Sequence, residues 1–391
     1  NTAIGFKTLR VQNAGANAFN VAVGYQAGEN VSTGVANTVI GGSAGDAITT
    51  GVSNVFVGTD AGGGLTTGES NVAVGKDALL SSVDGDHNTA IGFKALEDYE
   101  DGNGNGHNTA VGSKSQLNAT TGEFNTSLGS LSMGTGVTTG DYNVAIGYKA
   151  GEDMTSATTN TLVGTFAGLN ITSGANNTAV GYEALKIENA HGSNTAIGTQ
   201  TLNNLDAGAD GNNTAVGHQA GLQMTTGVNN TVIGALAGDA LTSGSYNVAI
   251  GRNALSAEDA HGTNVAVGYD TLALQNAGAD AYNTAVGYAA GVNVSTGVQN
   301  TIVGGNAGKA FTTGQRNVAV GYGALESEDA HGLNTAIGWA ALNTLDAGAD
   351  GLNVAVGYSA GLAMTTATHN TLIGANAGDC LLYTSPSPRD S

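Results

Sequence analysis

The chain has 391 residues, a formal net charge of −20 and only 11 Lys and Arg residues. This charge argues against nucleic-acid recognition, which needs a basic surface, and against docking on anionic membranes. Glycine contributes 63 residues and aromatic residues 5% of the chain, which excludes an ordinary globular core but suits a thin, repetitive one. No apolar segment approaches membrane-spanning length.

A pentapeptide of the form Asn-(Thr/Val)-x-(Val/Ile/Leu)-Gly recurs from Asn1 to Asn370. Most successive copies start 17 residues apart, as do those at Asn54 and Asn71. Such a short, regular period is typical of solenoids, in which one unit cannot bury its apolar face and stacks on its neighbours. The sequence therefore predicts an all-β fold, a parallel β-solenoid or β-roll of about 22 short coils with a 17-residue repeat.

The copy at Asn283 illustrates the unit. Thr284 and Val286 alternate with Ala285, which is the period of a β-strand, and Gly287 follows. A Thr-Thr-Gly or Ser-Thr-Gly triplet, here ending at Gly297, often closes the unit and is typical of a turn. We predict that each unit is one coil with two short strands and two turns.

Two positions of the pentapeptide have predicted structural roles. The glycine is expected at a corner that needs positive φ or close backbone approach; representatives are Gly181, Gly198, Gly217, Gly234 and Gly251. The asparagines are expected to form a ladder in which each side-chain amide bonds a neighbouring coil; representatives are Asn177, Asn194, Asn213, Asn230, Asn247, Asn264, Asn283 and Asn300.

From Asn160 onward a 70-residue repeat is superimposed on the shorter one, so that Asn177 corresponds to Asn247 and Asn317. One coil in four has two extra residues, which predict a loop on one side of the solenoid. Also once in every four coils, the usually small third residue of the pentapeptide is bulky. In the coil that starts at Asn160 this residue is Leu162, and a glycine, Gly168, stands eight residues after the Asn. This alternation predicts core packing at constant volume.

The pattern stops at Asp379, and residues 380–391 resemble a sequencing adapter read as protein. The only Cys and both Pro residues of the chain lie in that stretch. We therefore predict a repeat domain at residues 1–379, truncated at both ends, and a non-native tail at 380–391.

The sequence offers no nucleophilic triad, and a non-enzymatic role is expected. His191, His261 and His331 occupy the same place in the 70-residue repeat, each three residues after a Glu, and are expected to have structural or solvated roles in surface turns rather than to be metal ligands. No cofactor is expected. Calcium in acidic, glycine-containing loops is a better-supported alternative than metal at the histidines, although solvated turns are the simpler interpretation; the loops span residues 98–103, 206–211 and 346–351.

Asn-x-Ser/Thr triplets make N-glycosylation an open alternative if the chain enters a glycosylating secretory pathway. They begin at Asn30, Asn118, Asn125, Asn170, Asn176, Asn212, Asn229 and Asn293.

The repeat resembles two families. Residues 144–147 and 248–251, both Val-Ala-Ile-Gly, are similar to the core of YadA-like trimeric autotransporter adhesin heads. Residues 88–96 and 177–185 more closely resemble the Asn-Thr-Ala-Ile-Gly-Tyr-Gln-Ala-Leu repeats of phage tail fibres and bacterial surface proteins, many of which end in an endosialidase-type chaperone domain. The resemblance covers residues 1–379 and implies a β-roll, left-handed and trimeric if the adhesin analogy holds.

These observations favour a structural or adhesive fibre shaft that is extracellular, on a cell surface or on a virion. The expected partners are further copies of the chain, as a homotrimer or filament, and a cell-surface glycan bound at outward tyrosines. The alternatives for these tyrosines are that they only cover the coil edge or are buried at a trimer interface; they are Tyr25, Tyr148, Tyr182, Tyr288, Tyr322 and Tyr358. The alternatives are an ice-binding β-solenoid, which Val in place of Thr at many strand starts disfavours, and a glycosylated extracellular filament subunit.

Overall fold

The computed structural model describes residues 1–15, 17–100 and 105–379, so the predicted tail at 380–391 lies outside the described residues. Within these ranges the chain is all-β and forms a β-solenoid with one three-residue strand per coil. The chain divides into two compact units, residues 1–194 and 195–391. The predicted fold class is confirmed.

The first unit contains eleven strands among its described residues. In chain order they are β1 (Thr2–Ile4), β2 (Val21–Val23), β3 (Thr38–Ile40), β4 (Val55–Val57), β5 (Val72–Val74), β6 (Thr89–Ile91), β7 (Thr109–Val111), β8 (Thr126–Leu128), β9 (Val144–Ile146), β10 (Thr161–Val163) and β11 (Thr178–Val180).

The described part of the second unit contains another eleven. They are β12 (Thr195–Ile197), β13 (Thr214–Val216), β14 (Thr231–Ile233), β15 (Val248–Ile250), β16 (Val265–Val267), β17 (Thr284–Val286), β18 (Thr301–Val303), β19 (Val318–Val320), β20 (Thr335–Ile337), β21 (Val354–Val356) and β22 (Thr371–Ile373).

Within each unit every strand pairs in parallel with the strands of the adjacent coils, and the register places equivalent repeat positions side by side. Ala249 thus lies opposite Ala266, and Ala266 lies opposite Ala285. Because successive side chains of a strand point to opposite faces, the middle residue enters the core while the two flanking residues face outward. Ala266 is fully buried, whereas Val265 and Val267 are partly exposed.

The prediction of two strands per coil is wrong, because in the described parts of the chain only one segment of each coil is a strand. In the coil at Asn283, Ala289 has a φ of 50° and Gly291 one of 58°, and left-handed residues so close together interrupt a strand. The backbone of this side still bonds from coil to coil: Gly291 N donates to Ala307 O at 2.9 Å, and Ser295 N donates to Thr312 O at 2.9 Å.

The glycine that ends each strand combines both features expected of a corner. Gly234 has a φ of 135°, and a Cβ atom built on it would lie 2.5 Å from the carbonyl oxygen of Gly251 in the next coil. A larger residue would be strained by its own backbone and would also push the coils apart.

Bulky core residues occupy the space left by glycines, as the layered packing requires. A Cβ atom built on Gly62 would lie about 2.5 Å from Cε2 of Phe56, so the Phe56 ring occupies the space that a larger residue at position 62 would need. Leu162 fills the corresponding space beside Gly151 and Gly168. All other strand centres of the first unit from β2 to β11 hold smaller residues, so the core is a stack of thin layers.

The extra residues of the longer coils form projecting loops. Gly278 and Gly348 have φ values of 70° and 65° and no atom within 4 Å of a built Cβ, so both loops extend into open space. The described part of the chain contains no apolar helix of membrane-spanning length.

Candidate functional site

The predicted ladder asparagines form one continuous column of hydrogen bonds within each unit. In the second unit, Asn230 Oδ1 accepts from the backbone N–H of Asn247 at 2.9 Å, and Asn247 Oδ1 accepts from that of Asn264 at 3.1 Å. In the first unit Asn194 N donates to Asn177 Oδ1 at 3.1 Å. The bonds therefore join consecutive coils.

In most coils the side-chain NH₂ of the ladder residue donates to the carbonyl that closes the turn of its own coil, whereas Asn194 and Asn264 donate to Gly192 O and Gly262 O. Asn283 Nδ2 donates to Gly297 O at 2.7 Å, and Asn300 Nδ2 donates to Gly314 O at 2.9 Å. Asn213 Nδ2 makes the same bond to Gly227 O at 2.9 Å. All eight representative ladder residues are at most 1% exposed, so their bonds form away from water, where a lost partner costs most.

The glycosylation candidates fall into three groups by burial. Asn125 is wrong as a candidate, because it is a ladder residue with no exposed surface and cannot carry a glycan in the folded chain. Asn118 and Asn170 are half-buried. The remaining five are exposed; they are Asn30, Asn176, Asn212, Asn229 and Asn293.

The histidine turns of the 70-residue repeat are partly buried. The side chains of Glu258 and Glu328 are fully buried, and His261 and His331 are half-buried beside them. In each turn the glutamate Oε1 accepts from the histidine backbone N–H at 3.2 Å and lies 3.5 Å from its Nδ1. In the first unit Glu188 and His191 have the same arrangement, with 3.8 Å between Oε1 and Nδ1.

Burial raises the pKa of Glu258 to about 7, and the N–H and imidazole of His261 oppose this shift only in part. Its Oε2 atom is buried without a hydrogen-bond partner. Burial also raises the pKa of Glu328, but there the backbone N–H of Ala347 donates to Oε2 at 3.3 Å and favours the ionised form. The two carboxyl groups thus differ in the hydrogen bonding of Oε2, which is unpaired in Glu258 and accepts a backbone N–H in Glu328.

Additional acids approach both turns. Ligand atoms of Glu258, Asp259 and His261 lie within 4.8 Å of one another, and Glu328, Asp329, His331 and Asp346 form a second such group. Asp346 comes from the projecting loop of the coil that follows His331. The sequence placed Asp346 in a calcium loop and His331 elsewhere; the coil register brings them together.

The predicted calcium loop at 346–351 does not gather its own acids. Asp346 joins the cluster around Glu328, whereas Asp350 Oδ1 accepts from the backbone N–H of Gly332 at 3.0 Å. A pocket of about 180 Å³ beside this contact is lined by Thr313, Gln315, Arg316, Ala330, Gly332, Leu333 and Asp350. In the candidate loop at 98–103, residues 101–103 lie outside the described part of the chain.

The six tyrosines singled out in the sequence are exposed at the position after the corner glycine, each by 44–62% of its surface. Some stack on an aromatic residue of the adjacent coil. Tyr269 and Tyr288 have ring centroids 5.5 Å apart at 8°, and Trp339 and Tyr358 have centroids 4.9 Å apart at 10°. Flat aromatic surfaces of this kind are available to planar or apolar ligand faces.

A second aromatic column was missed by the sequence analysis. His87, His107, Phe124 and Tyr142 stack in order within the first unit, with centroid separations of 4.7, 4.9 and 5.2 Å and interplanar angles of 6–8°. Each precedes a ladder asparagine and has a φ between 55° and 60°. The recurrence of a ring one residue before Asn88, Asn108, Asn125 and Asn143 was the signal available in the sequence.

No protein-family model matches the chain, and a search of curated proteins gives no match.

Proposed function

We propose that this chain is the repeat segment of an extracellular fibre of the phage tail-fibre or cell-surface adhesin type. Its role is structural and adhesive rather than catalytic, and it associates with further copies of itself, as a homotrimer in the first instance. Its location is a cell surface or a virion.

The outward face of the strands carries this proposal. Both flanking positions of each strand hold Thr, Val, Ile or Leu, and the parallel register aligns them in columns. Val286 is 37% exposed and Ile337 40% exposed. A regular surface of half-exposed apolar side chains is typical of an interaction face, and covering it with another copy would remove it from water.

The exposed ring columns support the adhesive part of the proposal. Sugar rings have apolar faces that pack on aromatic rings, and stacked rings at the pitch of the coils offer repeated contacts along a glycan chain. The acidic net charge of −20 fits a partner that is neutral or basic.

The oligomeric state tests the proposal. Sedimentation equilibrium of the whole chain at micromolar concentration should give three chain masses. Val286→Lys and Ile337→Lys together should dissociate the trimer, because a charge would be buried at the interface. Thr296→Lys, on an exposed turn, is the matched control and should remain trimeric. A wild-type chain that stays monomeric at tens of micromolar would refute self-association.

Ice binding stays a weaker alternative. It needs uninterrupted Thr ranks, but the first strand position holds Val248 and Val265 in adjacent coils. Thermal hysteresis at millimolar protein would be the measurement that revives it.

A further inference from the structure

Two turns of the second unit bring metal-ligand side chains together. Glu258, Asp259 and His261 form one cluster; Glu328, Asp329, His331 and Asp346 form the other. In the second cluster Glu328 is buried, His331 is half-buried, and Asp329 and Asp346 are exposed. That cluster therefore has an anchored inner ligand and an outer side open to solvent.

Three buried atoms of these clusters lack a hydrogen-bond partner. The Nδ1 atoms of His261 and His331 are shielded from solvent and accept no hydrogen bond, and the same holds for Oε2 of the fully buried Glu258. Buried polar atoms are normally paired, and an exception calls for an explanation such as an ion. A neutral imidazole protonated on Nε2 presents its Nδ1 lone pair to the neighbouring carboxylate oxygen, an arrangement that a cation between them would stabilise.

The distances fit a small cation. In both turns Oε1 of the glutamate lies 3.5 Å from Nδ1 of the histidine. A tetrahedral ion with ligand bonds of about 2.0–2.2 Å separates its ligand atoms by roughly 3.3–3.6 Å. The remaining ligand atoms lie within 4.8 Å, so rotation of the exposed aspartates would complete the shell. One imidazole nitrogen with two or three carboxylates suits Zn²⁺ and similar transition metals better than Ca²⁺, which prefers six or more oxygens.

We propose that these two turns are binding sites for a divalent transition metal ion of the Zn²⁺ type. Glu328, Asp329, His331 and Asp346 supply four ligands at one site. Glu258, Asp259 and His261 supply three at the other, where water completes the shell. Because Asp346 belongs to the coil after that of His331, the four-ligand site links consecutive coils and binds more tightly than the three-ligand site.

Zinc titration of the metal-free chain tests this inference. The full chain, without an affinity tag, carries Cys380→Ser and His191→Asn so that the thiol and the equivalent turn of the first unit contribute no ligands. Isothermal titration calorimetry with ZnCl₂ should show two sites. His261→Asn with His331→Asn should remove both, whereas His218→Asn, at an exposed histidine outside the clusters, should retain both. Addition of CaCl₂ at the same concentrations should give no comparable binding.

The two sites can then be distinguished by one exchange of side chains. Asp346→Asn should weaken the tighter site about tenfold or more, to the affinity of the other, and Asn276→Asp should strengthen the weaker one. Co²⁺ in place of Zn²⁺ should give the visible absorption of a tetrahedral site, and His331→Asn should reduce it. Loss of zinc in His218→Asn equal to that in the double variant, or unchanged zinc binding in the double variant, would overturn the inference.

Discussion

The turns at 258–262 and 328–332 have the same sequence, Glu-Asp-Ala-His-Gly, but different surroundings. In the second, Ala347 N donates to Oε2 of Glu328, and Asp346 adds a carboxylate. In the first, Asn276 stands in place of Asp346, and Oε2 of Glu258 has no partner. Identical repeat sequences thus acquire different electrostatics from the following coil.

The part of the turn held by the ladder is alike in both copies. Asn247 Nδ2 donates to His261 O at 3.2 Å, and Asn317 Nδ2 donates to His331 O at 3.1 Å. The ladder hydrogen bonds are therefore the same in both turns, whereas the hydrogen bonds and charges around the buried glutamate depend on the loop of the following coil. Three sets of variants test this difference.

Replacement of the ladder residues should give the largest loss of stability, and the loss should be equal in the two copies. Asn247→Ala and Asn317→Ala each remove the buried acceptor of the next ladder N–H, that of Asn264 or Asn334, together with the donor to the histidine carbonyl. Each should lower the free energy of unfolding by about 2–4 kcal/mol, because the orphaned groups remain buried. Urea unfolding measures this, with the exposed Asn293→Ala as control. Costs that differ by more than about 1 kcal/mol would contradict equivalence of the two ladders.

Replacement of the two buried glutamates should give unequal effects. Glu328→Gln keeps one acceptor oxygen for two backbone donors, His331 N and Ala347 N, and should lower the free energy of unfolding by about 1–3 kcal/mol. Glu258→Gln loses no paired oxygen and removes a buried ionisable group, so it should be neutral or stabilising at pH 8. Both are measured in EDTA; equal losses would contradict the difference drawn between the two carboxyl groups.

The pH dependence of Glu258→Gln sharpens the same test. The folded-state pKa of Glu258, about 7, lies above its ordinary value of 4.5. Its contribution to stability is therefore complete below about pH 4.5 and is lost as the pH rises through 7. His261 and Asp259 face this carboxyl group. In EDTA, the Gln variant should lack this component of the decline in unfolding free energy; an unchanged profile from pH 5 to 8 would contradict it.

The smallest changes in stability are expected at Asp280 and Asp350, and they should be equal in the two copies. Asp280 and Asp350 each accept a hydrogen bond from a turn glycine, Gly262 N or Gly332 N, at 3.0 Å. Both aspartates are exposed, and Asn retains an acceptor oxygen, so Asp280→Asn and Asp350→Asn should each change the free energy of unfolding by less than about 1 kcal/mol. Thermal denaturation checks this, and a larger loss in one copy alone would show that the loops differ beyond positions 276 and 346.

Much of the fold could be predicted from the sequence because the short repeat assigns the same environment to the same position in each coil. The inward strand centre at Ala266 and the corner at Gly234 follow from it. The second strand was predicted wrongly, because residues such as Ala289 adopt left-handed φ values. Such values are uncommon for residues other than glycine, so the residue type does not predict them. Of the candidate site, His331 and Asp346 were noticed separately but not as neighbours.

The sequence by itself determined the coil, its period, its inward and outward positions, and the asparagine and glycine columns, because these depend on local chemistry repeated in register. Only the tertiary structure decided that Glu328 is buried, that Ala347 N–H reaches it, and that Asp346 approaches His331. The physical reason is that burial and ligand convergence depend on how the loop of one coil covers the turn of the coil before it. Residues almost a full coil apart in sequence become neighbours only when the coils stack.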